Sequence, residues 1–208
     1  KGIVEGTFNA KSGHPGGSLS IADMISYLYF NEMNIDPANP KMEDRDRFIM
    51  SKNHGSVITY PILADLGYID KSILMTFMKD GSYLGGHSKI CMSGVDFSGG
   101  SLGLGLGVAC GIAYGAKLRE KLFKTYVLVG DGESYEGSIW EAALFAGHNK
   151  LDNLVMILDR NKMACTDFTE NMLRLDSVKE KWESFNWDVI EIDGKIREKE
   201  KYLLSTKD

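Results

Sequence analysis

Asp131 and Asn161 are the two side chains whose setting first suggests chemistry. Asp131 stands between Gly130 and Gly132, and Asn161 follows after residues 133–160. A carboxylate and an amide oxygen are hard donors. Mg²⁺ takes one or two carboxylates and completes its shell with water and phosphate oxygens, so this pair suits it. Glycine on both sides of the aspartate leaves room for a phosphate to approach the backbone. The plainer alternative is an ordinary Gly-Asp turn and an asparagine helix cap. Three histidines sit in comparable places: His14 in SGHPGGS, His54 in Ser51-Lys52-Asn53-His54, and His87 in a Gly-Gly-His loop. Imidazoles in such loops can bind substrate hydroxyls and move protons. His148 closes a helical pattern, where interaction with the helix dipole is the simpler account.

These residues need elements to position them. Tyr126–Val129 is an apolar, β-branched run that stops at Gly130-Asp131-Gly132. A helical pattern follows to about His148, and Leu154–Leu158 is a second apolar run ending at Asp159-Arg160-Asn161. Strand, turn, helix, strand suggests a parallel βαβ unit. Ligands of open α/β sheets sit beyond the carboxyl ends of the strands, where Asp131 and Asn161 both arrive. The helix after Gly132 is expected to aim its N-terminus at a phosphate there. Upstream, Arg47–Met50 reads as a strand and His54 as the turn after it, with a helix from about Gly55 closed by Gly67. Pro61 implies a kink or a late start in that helix. His14, His54 and His87 would then converge on the sheet's carboxyl edge. Ser20 reads as a helix N-cap with Asp23 in the first turn, and Ile21, Met24, Ile25, Leu28 and Tyr29 as core. Asp70 caps a short helix, Lys71–Met78, with Ile73, Leu74 and Phe77 inside. Gly103, Gly105 and Gly107 do not make a dinucleotide fingerprint, because Val108 and Cys110 stand where the third glycine is needed. Gly103, Gly107, Gly111 and Gly115 form a stripe on one helix face, read here as close helix packing. Further on, Val178–Phe185 reads as a helix and Trp187–Ile192 as a strand. The expected class is α/β: three layers, a mostly parallel sheet with helices on both faces.

Composition sets the bounds. The chain has 208 residues, 43% hydrophobic and 25% charged, enough for one domain with a substantial core. A net charge of −5 argues against a nucleic-acid partner. Three cysteines without CxxC spacing fit a reducing, cytoplasmic setting. No apolar run reaches the roughly 18 residues of a membrane span and no signal peptide is visible, so neither membrane nor secretion is expected.

The whole stretch GDGESYEGSIWEAALFAGHNKLDNLVMILDRN, with EGxxWEA inside it, resembles the transketolase family of thiamine-diphosphate enzymes, as does GHPGGSLS near the start. The resemblance covers about Ala10 to Gly194. It implies the thiamine-diphosphate-binding fold, with thiamine diphosphate and Mg²⁺ as cofactors. Asp131, Asn161 and the backbone carbonyl of Met163 would hold the metal. Gly130, Asp131, Gly132, Glu133 and Asn161 would hold the diphosphate side. Ser101, Leu102 and Gly103, in the loop before the glycine-rich helix, would contact the ring system. His14, His54 and His87 would serve the substrate. Glu136, and less strongly Glu141, would lie along a subunit interface coupling two cofactor sites.

The same resemblance implies that something else must supply the rest of the site. In the family, the carboxylate that activates the cofactor and the aromatic ring that stacks on it come from a pyrimidine-binding domain. Nothing after Asn161 is long enough to hold one. The expectation is the diphosphate-binding subunit of a split transketolase, one domain over residues 1–208. It would work with a C-terminal, pyrimidine-binding subunit, either in a dimer of this chain or in a heterotetramer, on sugar phosphates. The first residues read as a helix lacking its beginning. Residues near 194–195 and at the C-terminus look cut short, with Tyr202–Ser205 resembling a later strand joined early. The alternatives are a deoxyxylulose-phosphate-synthase-like enzyme and a non-catalytic assembly subunit.

Overall fold

A computed structural model describes residues 1–191 and the short strand Ser205–Thr206. The chain begins with α1 (Gly2–Ala10), which ends on Lys11 in the left-handed conformation. Next come α2 (Pro15–Leu19), opened by a proline in its first turn, and α3 (Ala22–Tyr27), which continues as a wider turn through Glu32. Strand β1 (Arg47–Met50) is followed by a 3-10 turn over Asn53–Ile58 and by α4 (Thr59–Leu66). Pro61 thus falls in the first turn of a late-starting helix, where its missing N–H costs nothing. Gly67, at φ +93°, ends α4. Asp70 caps the 3-10 turn Lys71–Thr76 by accepting from the Ser72 amide.

The second half contains α5 (Leu104–Leu118), β2 (Thr125–Gly130), α6 (Gly137–His148), β3 (Leu154–Asp159), α7 (Thr169–Met172) and α8 (Val178–Ser184). Strand β4 (Trp187–Asp188) pairs antiparallel with β5 (Ser205–Thr206), outside the main sheet. Ser205 aside, the expected strand over 202–205 and the junction at 194–195 lie outside the described residues.

The main sheet runs β1-β2-β3, all parallel, with Ile49 beside Val127 and Val127 beside Met156. Strands buried on both faces are near-continuous apolar runs, as here. Alternate residues feed two cores. Phe48, Met50, Tyr126, Leu128, Val155 and Ile157 pack on one face with Ile21, Ile25, Tyr60 and Leu63. Ile49, Val127, Val129 and Met156 pack on the other with Leu106, Ala109, Ala143, Trp182 and Trp187. The layers are therefore helix, sheet, helix, as the sequence implies.

The strand expected over Trp187–Ile192 covers only Trp187–Asp188 among the described residues, and three other local expectations change. Ser20 does not cap α3; Ile21 holds that position without a side-chain bond. The Ser20 hydroxyl instead reaches the buried Asp159 carboxylate at 2.7 Å, a charge-assisted bond stronger than a cap. Of the glycine stripe, only Gly103 packs closely against other described residues. A Cβ on Gly107, Gly111 or Gly115 would meet nothing within 4 Å. Close approach falls to Gly105, whose Cβ would lie 2.4 Å from Ser51 Oγ. Helix α6, finally, does not begin at the Gly-Asp-Gly turn. A 3-10 turn over Gly132–Tyr135 intervenes, and Glu136 is the N-cap residue.

Candidate functional site

The carboxyl ends of β1, β2 and β3 lie side by side, and Gly130 of β2 is in register with Asp159 of β3. Asp131 follows directly and is 1% exposed. Its Oδ1 accepts from the Gly132 amide at 2.8 Å. Its Oδ2 accepts from the Lys162 amide at 2.7 Å and from Arg160 at 3.0 Å. Lys162 lies between Asn161 and Met163, so the aspartate touches the loop that carries the other two candidate metal donors. Asn161 Oδ1 accepts from the Met163 amide at 2.8 Å, while its Nδ2 donates to Asp159 at 2.9 Å. The Met163 carbonyl oxygen lies 3.9 Å from where a Cβ on Gly132 would stand, and Ala164 Cβ lies 3.4 Å from that point.

These residues suit a small hard cation. A carboxylate offers about four lone-pair positions and an amide oxygen two. Asp131 Oδ1 and Asn161 Oδ1 each accept one bond, which leaves each capacity for another. Among the described residues, no three His, Cys, Asp or Glu side chains gather to hold a metal. A cation at this edge would therefore rest on one carboxylate with amide and carbonyl oxygens, a sparse set typical of Mg²⁺ shared with phosphate.

The glycines of the turn face protein, not open space. A Cβ on Gly130 would stand 3.6 Å from Lys52 Cβ and 3.7 Å from Glu133 Cβ. Lys52 passes over the end of β2 and pairs with Asp159 beyond it, Nζ to Oδ2 at 2.6 Å. Lys52 is 1% exposed. Asp159 Oδ2 thus receives Lys52, Ser20 and Asn161 together. Such a partner offsets the cost of taking the Lys52 ammonium out of water.

Glu133 is 2% exposed, and its carboxylate joins three segments. Oε1 accepts from Ser51 Oγ at 2.5 Å and from the Gly103 amide at 2.8 Å; Oε2 accepts from the Gly130 amide at 3.0 Å. Burial lifts its carboxyl above the usual glutamate range, against the pull of those three donors and of Lys52. Its place is therefore beneath the loops, tying the end of β1 and the end of β2 to the start of α5. Gly103, at φ +86°, adopts a conformation that suits glycine, and a Cβ there would meet Ser138 Oγ at 2.5 Å. Its carbonyl accepts from that hydroxyl. Ser101 is exposed and Leu102 partly so. Glu136, the N-cap residue of α6, and Glu141, within that helix, are both exposed.

The three histidines gather as the topology demands. Ser18 Oγ donates to the Gly55 carbonyl at 3.1 Å, binding the first glycine-rich turn to the turn after β1. His14 and His54 then meet edge to face, with ring centroids 5.6 Å apart. Asn53 Oδ1 accepts from the Ser88 amide at 3.0 Å, drawing the His87 loop against the residue before His54. Burial holds the His54 imidazole down to about 4, helped by Lys52, His14 and His87. Burial also lowers His87, with His14 second. His54 is therefore neutral near pH 7, and one of its ring nitrogens can accept a hydrogen bond from a hydroxyl. His148 is exposed at the end of α6.

Sequence reasoning left out Lys52, Asp159, Ser51 and Arg160. Lys52 and Ser51 sit in the turn that supplied His54, and Asp159 and Arg160 precede Asn161. Asp159 ends β3 and the other three directly follow β1 or β3, whose carboxyl ends line the site, and that position was the available signal. The cysteines at 91, 110 and 165 are free thiols. Among the described residues, no helix is long and apolar enough to cross a membrane.

Comparison with known proteins gives a consistent picture. Residues 4–201 match the family described as "Transketolase, thiamine diphosphate binding domain". The chain is 44% identical to one of the subunits of the apulose-4-phosphate transketolase of Phocaeicola vulgatus, over 93% of this chain and 69% of that one. It is 42% identical to the 6-deoxy-6-sulfo-D-fructose transketolase subunit SqwG of a Clostridium species (strain MSTE9), over 88% of this chain and 66% of that one. Human transketolase is 39% identical over 92% of this chain, which spans 31% of the human protein. The crystal structure of transketolase from Campylobacter jejuni superposes with a TM-score of 0.84 at 33% identity, over 88% of this chain and 30% of that one.

Proposed function

We propose, from the premise that this chain belongs to the transketolase family and carries its thiamine-diphosphate-binding domain, that it is the diphosphate-binding subunit of a split transketolase. The reaction would move a two-carbon ketol unit from a ketose phosphate to an aldose phosphate. Thiamine diphosphate, when bound, would supply a nucleophilic carbon for this transfer. The residues of this chain bind and orient. Asp131, Asn161 and the Met163 carbonyl would hold Mg²⁺ against the diphosphate. Ser101, Leu102 and Gly103 would line the ring side through a loop fixed by Glu133. His14, His54 and His87 would receive substrate hydroxyls, with neutral His54 offering a ring nitrogen as a hydrogen-bond acceptor.

The observation that carries this reading is the hydrogen bond from the Lys162 amide to Asp131 Oδ2. It closes the loop of Asn161 and Met163 onto the Gly-Asp-Gly turn. The partner would be a pyrimidine-binding chain, the setting cytoplasmic, and the assembly a heteromer with its active site between subunits. Exposed Glu136, at the start of α6, would face that boundary.

Titration calorimetry of thiamine diphosphate, with and without Mg²⁺, tests the proposal on this chain alone and mixed with its partner. Binding that requires both Mg²⁺ and the partner is the expected result. Absence of binding in the mixture would overturn the cofactor assignment. Binding without turnover of any ketose phosphate would leave a non-catalytic assembly role instead.

A further inference from the structure

We infer that Arg160 is the positioning residue of the metal-binding loop, clamping the segment after Asn161 and holding Asp131 by one oxygen so that the other stays available; this rests on the cofactor reading above. Arg160 stands immediately before Asn161. One guanidinium nitrogen donates to Asp131 Oδ2 at 3.0 Å and to Thr169 Oγ1 at 2.6 Å. The other donates to Glu170 at 2.8 Å and to Asp176 at 3.1 Å. A single planar fork thus joins the end of β2 to both limbs of the segment that returns over residues 162–176.

The surrounding bonds show what the clamp organises. The Thr169 amide donates to the Lys162 carbonyl at 3.1 Å, and the Tyr135 hydroxyl donates to the Thr169 carbonyl at 2.8 Å. Glu170 also accepts from the Leu175 amide at 3.1 Å. Met163 bridges antiparallel to Phe168. Residues 161–163 are thereby set between Asp131 on one side and α7 on the other.

Charge explains why a cation can share this place with an arginine. Asp131, Glu170 and Asp176 together carry three negative charges against one positive charge on Arg160, so the group stays anionic. Oδ2 of Asp131 is saturated by Arg160 and the Lys162 amide, whereas Oδ1 accepts only from Gly132. Lysine cannot replace the fork, because an ammonium is a point charge without two-pronged geometry.

The test separates positioning from charge. Removing a positive charge beside a metal ligand should tighten Mg²⁺ binding if Arg160 acts only electrostatically. If Arg160 positions the loop, Arg160→Met should weaken it by about 10–100-fold, the usual effect of losing a group that orients a metal ligand. Mg²⁺ is titrated in the presence of thiamine diphosphate, using the full chain assembled with its pyrimidine-binding subunit. Amide hydrogen exchange is followed at Lys162 and Leu175 in the same samples. Both amides should exchange about tenfold faster or more in Arg160→Met and in Arg160→Lys, with Arg160→Lys failing to restore Mg²⁺ affinity. Tighter Mg²⁺ binding in Arg160→Met, or wild-type behaviour in Arg160→Lys, overturns the inference. If wild-type assembly binds no cofactor, the functional reading fails, and exchange alone decides the clamp: unchanged rates at Lys162 and Leu175 refute it.

Discussion

Two chemically identical substitutions on α5 should have opposite effects. Gly105→Ala places a Cβ 2.4 Å from Ser51 Oγ, 2.5 Å from Ser51 Cβ and 2.7 Å from Ser51 Cα. Carbon atoms rest at about 3.5–4.0 Å, so α5 and the end of β1 must separate by about 1 Å. Ser51 cannot swing aside freely. Its hydroxyl donates to Glu133, and its amide is bonded to the Leu128 carbonyl at 2.9 Å. Overpacking of this kind costs about 1–3 kcal/mol, and weakening the Glu133 bond adds about 1 kcal/mol. The gain in helix propensity, about 1 kcal/mol, offsets part of this. Gly111→Ala meets nothing within 4 Å and should gain about 0.5–1 kcal/mol. The pair should differ by about 2–4 kcal/mol. Equilibrium urea unfolding, followed by the fluorescence of buried Trp182 and Trp187, measures both. A Gly105→Ala chain as stable as the Gly111→Ala chain would refute the close approach of α5 to Ser51.

Three further outcomes are expected. Lys52→Met should lower stability by about 3–5 kcal/mol in thermal unfolding, because Asp159 is left buried without its cation; Lys52→Met/Asp159→Asn should recover part of that loss. Glu133→Gln should cost about 2–4 kcal/mol, since its new NH₂ must face the Gly130 amide or the Ser51 and Gly103 donors; an unchanged unfolding midpoint would remove Glu133 from its tying role. His54 titrates at about 4 in the fold against an ordinary 6.5, so between those values the unfolded chain binds the extra proton. Stability should therefore fall as pH drops from about 6.5 toward 4, by about 1–2 kcal/mol after solvent screening. A His54→Gln chain with the same pH slope would assign that slope to other groups.

Strands β1, β2 and β3 were readable because apolar runs end abruptly at glycine or charged residues, and their order follows from parallel crossover logic. That logic also carries the sequence candidates to one edge. What local patterns could not show was which distant group a polar side chain would choose. Ser20 has every local mark of a cap, yet a buried carboxylate from β3 takes its hydroxyl. Lys52 and Asp159 are distant in sequence, and neither sits in a pattern that announces burial. The spacing of Gly107, Gly111 and Gly115 reports a smooth helix face but not whether the same chain covers it. Nor does the sequence show that Glu133, in the 3-10 turn before α6, turns its side chain back to the Gly103 and Gly130 amides.

The three-way attachment of Glu133 also bears on how the molecule breathes. Ser51, the Gly103 amide and the Gly130 amide come from separate stretches of chain, yet one carboxylate holds all three, so its displacement loosens every one of them. Opening of the floor beneath the site should therefore be a subglobal event rather than the fraying of a single loop.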